Sequence, residues 1–75
     1  LTKLPVISGK DLAKALKKAG FVPVRQKGSH LRLKKTTSEE TINLTIPLHD
    51  VVSKGTLRGI IKDAGLTVEE FVELL

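Results

Sequence analysis

The chain has 75 residues, a net charge of +5 and no cysteine. At that length folding buries about 60% of the surface exposed by the unfolded chain, and neither a disulfide nor a thiolate metal site supplements the core. No apolar run approaches the roughly 20 residues that span a bilayer and no signal peptide is visible at the start, so a single cytoplasmic domain over residues 1–75, with no membrane contact, is the expectation.

Residues 1–7 read as a short lead-in, kept out of a helix interior by Pro5. Ser8 is a good N-cap, with Asp11 three residues on, and the pattern predicts a helix over residues 9–19. Leu12, Ala15, Leu16 and Ala19 form its apolar stripe. Lys10, Lys14, Lys17 and Lys18 occupy other faces, either as ordinary solvated surface or as a grip on phosphate. Gly20 supplies the helix stop, and Phe21 beyond it packs back on the last turn.

Residues 21–27 read as the first strand, with Pro23 marking an edge or an interrupted ladder. Gly28-Ser29 fits a two-residue hairpin turn with glycine first, where positive φ is required. Residues 31–35 form the second strand. Its alternation turns His30, Arg32 and Lys34 one way, and Leu31 and Leu33 the other. Arg25 and Lys27 share a parity on the first strand, so one sheet face carries five basic or titratable groups. Residues 36–40 are a polar loop. Residues 41–46 form the third strand, with Ile42, Leu44 and Ile46 inward, Asn43 and Thr45 outward, and Pro47 ending it.

The connector to residue 55 carries His49. Thr56 is read as the cap of a helix over residues 57–64, with Leu57, Ile60, Ile61 and Ala64 on its core side. Thr67-Val68-Glu69-Glu70 is a capping box that opens a last short helix, with Phe71, Leu74 and Leu75 inward. The predicted fold class is α+β, in the order α-β-β-β-α with a short C-terminal helix. A three-stranded antiparallel sheet has helices packed on one face, and its opposite, basic face is open to solvent.

Charge is unevenly spread. Residues 1–35 hold ten Lys/Arg against Asp11 alone, whereas residues 36–75 hold Lys54, Arg58 and Lys62 against seven carboxylates. This asymmetry favours a polyanionic partner for the first half, and also suits a surface that merely aids solubility. Several chemistries find no support. Two histidines without cysteine or the His/carboxylate spacing of a zinc helix leave no metal ligand set, and no cofactor-binding glycine loop is present. Ser29 precedes His30 directly, so their side chains diverge on an extended chain and no nucleophilic triad forms. Phe21 and Phe71 are the only aromatics and stand at core positions, which argues against base stacking.

What remains is His30 among cations. An imidazole takes a proton from one oxygen and gives one to another. Beside phosphate-binding Arg and Lys it makes a minimal kit for cleaving RNA, with the base activating a ribose 2′-OH and the cations stabilising the phosphorane oxygens. The bland alternative is a surface histidine that contacts phosphate or ends a turn. Arg25, Lys27, Arg32 and Lys34 are the candidate RNA-binding cations. Ser29 either orients His30 or suits the turn. His49 either assists binding or a second proton transfer, or pins its loop. Lys54 and Arg58 lie near a helix N-terminus, which favours anions.

The segment Gly20-Phe21 through Arg25-Gln26-Lys27-Gly28-Ser29-His30 resembles the signature of the HicA family, small ribonuclease toxins of toxin–antitoxin pairs. Ile46-Pro47, His49, Lys54-Gly55-Thr56-Leu57-Arg58, Ile60-Ile61, Ala64-Gly65-Leu66 and Glu69-Glu70-Phe71 continue the pattern in order and spacing, so the resemblance covers nearly the whole chain. It implies a fold like the double-stranded RNA-binding domain and metal-independent cleavage of mRNA with His30 as the catalytic residue. It further implies neutralisation by a HicB-type antitoxin that covers the active face. The segment 35–41 does not match the family in detail. A non-catalytic double-stranded RNA-binding module of the same fold is the alternative, and a pure interaction protein whose basic face meets an acidic partner is a second.

Overall fold

The computed structural model describes residues 3–75; Leu1 and Thr2 of the predicted lead-in lie outside the described residues. The elements are α1 (Gly9–Lys18), β1 (Val22–Lys27), β2 (His30–Thr36), β3 (Thr41–Pro47), α2 (Lys54–Asp63) and α3 (Val68–Glu73). The three strands form one antiparallel sheet in the order β1-β2-β3. This is the expected α+β arrangement, similar to a double-stranded RNA-binding domain. No helix among the described residues is long and apolar enough to cross a membrane.

Alternation along β2 and β3 sorts the sheet into two faces. Leu33, Leu44 and Ile46 are buried on the inner face, and Leu31 and Ile42 are half-buried beside them. Against these pack Leu12 and Leu16 of α1, Leu57, Ile60 and Ile61 of α2, and Phe71 of α3, in one continuous buried cluster. The buried class contains no polar or charged residue among the described residues. All of the polarity is therefore left to the rim and to the outer face.

Local chemistry explains where the helices begin and end. The Ser8 hydroxyl accepts from the Asp11 N–H at 3.1 Å, capping α1. At its other end the Phe21 N–H reaches back to the Leu16 carbonyl, and at the end of α2 the Leu66 N–H reaches the Ile61 carbonyl, both at 3.1 Å. Each closure turns an apolar residue back onto the helix that it ends. The capping box of Thr67 and Glu70 is fully formed, each side chain accepting from the other residue's N–H.

Three expectations are corrected. The cap of α2 is Ser53 rather than Thr56. Ser53 is extended, its hydroxyl accepts from the Thr56 N–H, and the helix starts three residues earlier than expected. Gly55 thus lies in a first turn, where its low helix propensity is offset by the cap. Leu75 is 53% exposed instead of packed inward, because α3 ends at Glu73 and Leu74 takes the place against the core. Pro47 belongs to β3, paired with His30. An edge strand tolerates the missing N–H.

Gly9 is held by contact. A Cβ at this position would land on the Pro47 carbonyl oxygen, since α1 starts directly against the exit of β3. Gly59, inside α2, faces open space. The two glycines therefore respond oppositely to alanine in urea unfolding. Gly9→Ala lowers stability by about 1–3 kcal/mol through overpacking, and Gly59→Ala raises it by about 0.5–1 kcal/mol through helix propensity.

Candidate functional site

The outer face of the sheet is built in rows across the three strands. Nearest the hairpin turn, Lys27, His30 and Pro47 stand side by side; the next row is Arg25, Arg32 and Thr45; the third is Val22, Lys34 and Asn43. The turn itself sets this register. Gly28 has φ +59°, no other residue type among the described ones has positive φ, and Lys27 pairs directly with His30 across it. A Cβ at Gly28 would meet nothing within 4 Å, so the demand for glycine there is purely conformational.

Lys27 and Arg25 are brought to this face by a break in β1. Val22 pairs with Lys34 and Pro23 with Leu33, but the next pair is Arg25 with Arg32, which leaves Val24 as an extra residue. The break falls beside the proline, where a ladder bond is lost in any case.

Arg25, Lys27, Gly28, Ser29, His30, Arg32 and Thr45 line one open cleft of about 650 Å³. Five of the six predicted site residues are thus brought together. Lys34 lies a row further on, outside that lining. All of these side chains are exposed. Alternation along β3 only turns Thr45 outward; the pairing of β2 with β3 sets it opposite Arg32, and the sequence carries that signal only once the register is known.

Behind the cleft, His30 also lines a second depression, of about 420 Å³, with Pro47, His49, Val51, Ser53 and Thr56. His49 is thereby brought to the neighbourhood of His30, together with the start of α2. Main-chain bonds pin this corner to the core. The Leu48 N–H donates to the Ser29 carbonyl at 2.6 Å, and the Gly9 N–H donates to the His49 carbonyl at 2.9 Å. The Gln26 side chain donates to the Gly28 carbonyl at 3.2 Å, bracing the turn from within.

The cleft holds an imidazole, two guanidinium groups and an ammonium on a face open to water. Its shape and charge suit an extended polyanion rather than a small apolar ligand, which would need an enclosed apolar lining. Among the described residues no group of three or more His, Cys, Asp or Glu side chains is placed to hold a metal ion.

Comparison with protein families matches residues 9–66 to the family described as HicA toxin of bacterial toxin-antitoxin. The matched span runs from the first residue of α1 to the residue that closes α2, and it contains the whole cleft. No curated protein matches the chain. On that match, and on a fold that agrees with the resemblance, the chain belongs to the HicA toxin family of bacterial toxin–antitoxin systems.

Proposed function

We propose that this toxin is an endoribonuclease that cleaves mRNA without a metal ion or other cofactor, with His30 as its catalytic residue. The observation that carries the reading is the crowding of one imidazole and four cations, drawn from two strands, onto a single open face. Like charges directly opposite one another on neighbouring strands are destabilising. Arg25 against Arg32 is such a pair, and Lys27 and Lys34 stand in the rows on either side of it. A sheet that keeps them gains nothing in stability from the arrangement, and a polyanion across the rows supplies the missing counter-charge.

In this mechanism the His30 imidazole takes the proton from a ribose 2′-OH, and the oxygen attacks the adjacent phosphorus. The bond from phosphorus to the 5′ oxygen of the next nucleotide breaks. That oxygen takes a proton from a water in the exposed cleft, the His30 imidazolium returns its proton to the hydroxide left behind, and a cyclic 2′,3′-phosphate remains. Arg25, Lys27 and Arg32 hold the phosphate and stabilise the charge that builds on its equatorial oxygens. Ser29 and Thr45 offer hydroxyls at the same cleft, and Lys34 contacts the strand one row further on. A HicB-type antitoxin neutralises the toxin by covering this face in the cytoplasm, and residues 1–75 act as one domain.

The decisive experiment is cleavage of purified single-stranded RNA in EDTA, with native chain and His30→Ala in parallel. General acid–base catalysis is worth about 10²–10⁴-fold, and a loss of that size in a folded His30→Ala variant is the expected result. Equal cleavage by both would overturn the assignment. RNA bound by both and shortened by neither would leave a double-stranded RNA-binding module in its place.

A second expectation separates the rows. Removing a group that stabilises charge in the transition state costs on the order of 10²-fold in kcat. Arg32→Gln shows a loss of that order in single-turnover cleavage, and Lys34→Gln, outside the cleft, changes the rate by less than about threefold by the same reasoning. Equal effects would mean that the row structure does not govern the chemistry.

A further inference from the structure

Three depressions lie in series around the end of the molecule where the β1–β2 turn, the 47–50 connector and the start of α1 meet. The outer cleft and the depression behind it share His30. That depression and a third, of about 490 Å³ on the helix side, share His49. The third is lined by Lys10, Lys14, Lys17, Gln26, His49 and Asp50, among others. The bond from the Gly9 N–H to the His49 carbonyl fixes the first residue of α1 against the connector, so the lysine stripe starts beside His49.

Lys10, Lys14 and Lys17 follow the i, i+4, i+7 spacing that puts side chains on one helix face, and all three are exposed. Asp11, the one acidic residue of α1, is absent from this lining; it lines a neighbouring depression beside Leu74 and Leu75, which Lys14 borders as well. Asp50 on the rim is outweighed by the three lysines. These lysines belong to neither the cleft nor the core, so neither catalysis nor packing accounts for the stripe.

We infer that a single RNA strand held in the outer cleft continues past His30 and His49 onto the Lys10/Lys14/Lys17 stripe of α1, which serves as a phosphate-binding extension of the cleavage site. The inference rests on the reading of the outer cleft as an RNA site. The track favours a single strand because it passes from the outer face of the sheet to the helix side of a molecule only 31 × 29 × 18 Å across. A duplex, stiff over about 150 base pairs, does not follow so tight a turn. A flexible strand does, and it meets cations at both ends with a histidine at each junction.

The test uses 2′-O-methyl strands, which bind but lack the hydroxyl that cleavage needs, so that binding is read apart from chemistry. Fluorescence anisotropy over a range of salt compares strands of about 4 and about 12 nucleotides, spanning the usual size of single-strand sites. The native chain is compared with Lys10→Gln/Lys14→Gln/Lys17→Gln, whose glutamines match lysine in helix propensity. Each phosphate contact contributes about 0.7 to the slope of log K against log salt for single strands. The variant is expected to lose about 2 from the slope on the long strand and to leave the short strand unchanged.

Equal losses on both lengths, or no loss on either, overturn the track, and the second result would assign the stripe to another occupant such as an acidic protein. A loss confined to duplex RNA overturns it as well. Failure of the native chain to bind either strand removes the outer-cleft reading itself, and the track with it. Acetylation of the native chain gives a readout that needs no variant: the long strand protects Lys10, Lys14 and Lys17, and the short one does not. Equal modification with both strands counts against the track.

Discussion

Phe21 and Arg25 stand four residues apart, and a regular strand would turn both to the same side of the sheet. One is buried in the core and the other lines the outer cleft. The extra residue at Val24 resolves the conflict by shifting the alternation between Pro23 and Arg25. Upstream of it, Phe21 enters the core and Pro23 stands opposite the inward Leu33; downstream of it, Arg25 and Lys27 face outward, beside Arg32 and His30. The Lys35 ammonium, on the inner side of β2, lies 5.7 Å from the centre of the Phe21 ring and covers it. Val22 and Val24 are left 57% and 56% exposed as the price of this shift.

The sheet divides the labour between its faces sharply. The inner face and three helices supply a wholly apolar cluster, so stability comes from area removed from water, at about 25 cal/mol per Å², and not from charged pairs. The outer face is thereby freed to carry side chains that repel one another. The corner that bears His30 is not left to the hairpin alone: the Ser29 carbonyl, the connector and the first residue of α1 are joined by main-chain bonds. A basic face whose tip is tied to the core by main-chain bonds keeps the strand positions of the imidazole and cations in register while their side chains remain in water.

Much of this is legible in the residues, and the parts that are not share a cause. Gly28-Ser29 between alternating segments announces the hairpin, because positive φ, turn length and parity agree. The rows across the sheet are not readable in the same way. Their alignment with β3 depends on the loop at 37–40, where the Thr37 hydroxyl accepts from the Glu39 and Glu40 N–H groups and the Thr37 N–H donates to the Glu40 carbonyl. Read along the chain, that stretch is only polar. The break in β1 was implicit in an apolar Phe21 and cationic Arg25 and Lys27 of one parity, with Pro23 between them, but parity taken for the cations alone hides it. Gly55 reads as connector along the chain and so hides Ser53 as a cap, whereas the helix runs through Gly55. The junctions at His30 and His49 join segments distant in sequence, and no spacing along the chain encodes them.

The broken ladder of β1 bears on more than the site. β1 is an outer strand of the sheet, and an outer strand with an unbroken row of amides invites a neighbouring copy to add to it. Here Pro23 removes one donor and the extra residue at Val24 bends the line immediately afterwards, with Arg25 and Lys27 adding repulsion. Two exposed valines on such an edge would otherwise nucleate strand-to-strand stacking. The same local irregularity that orients the cations therefore also makes β1 a poor template for an added strand.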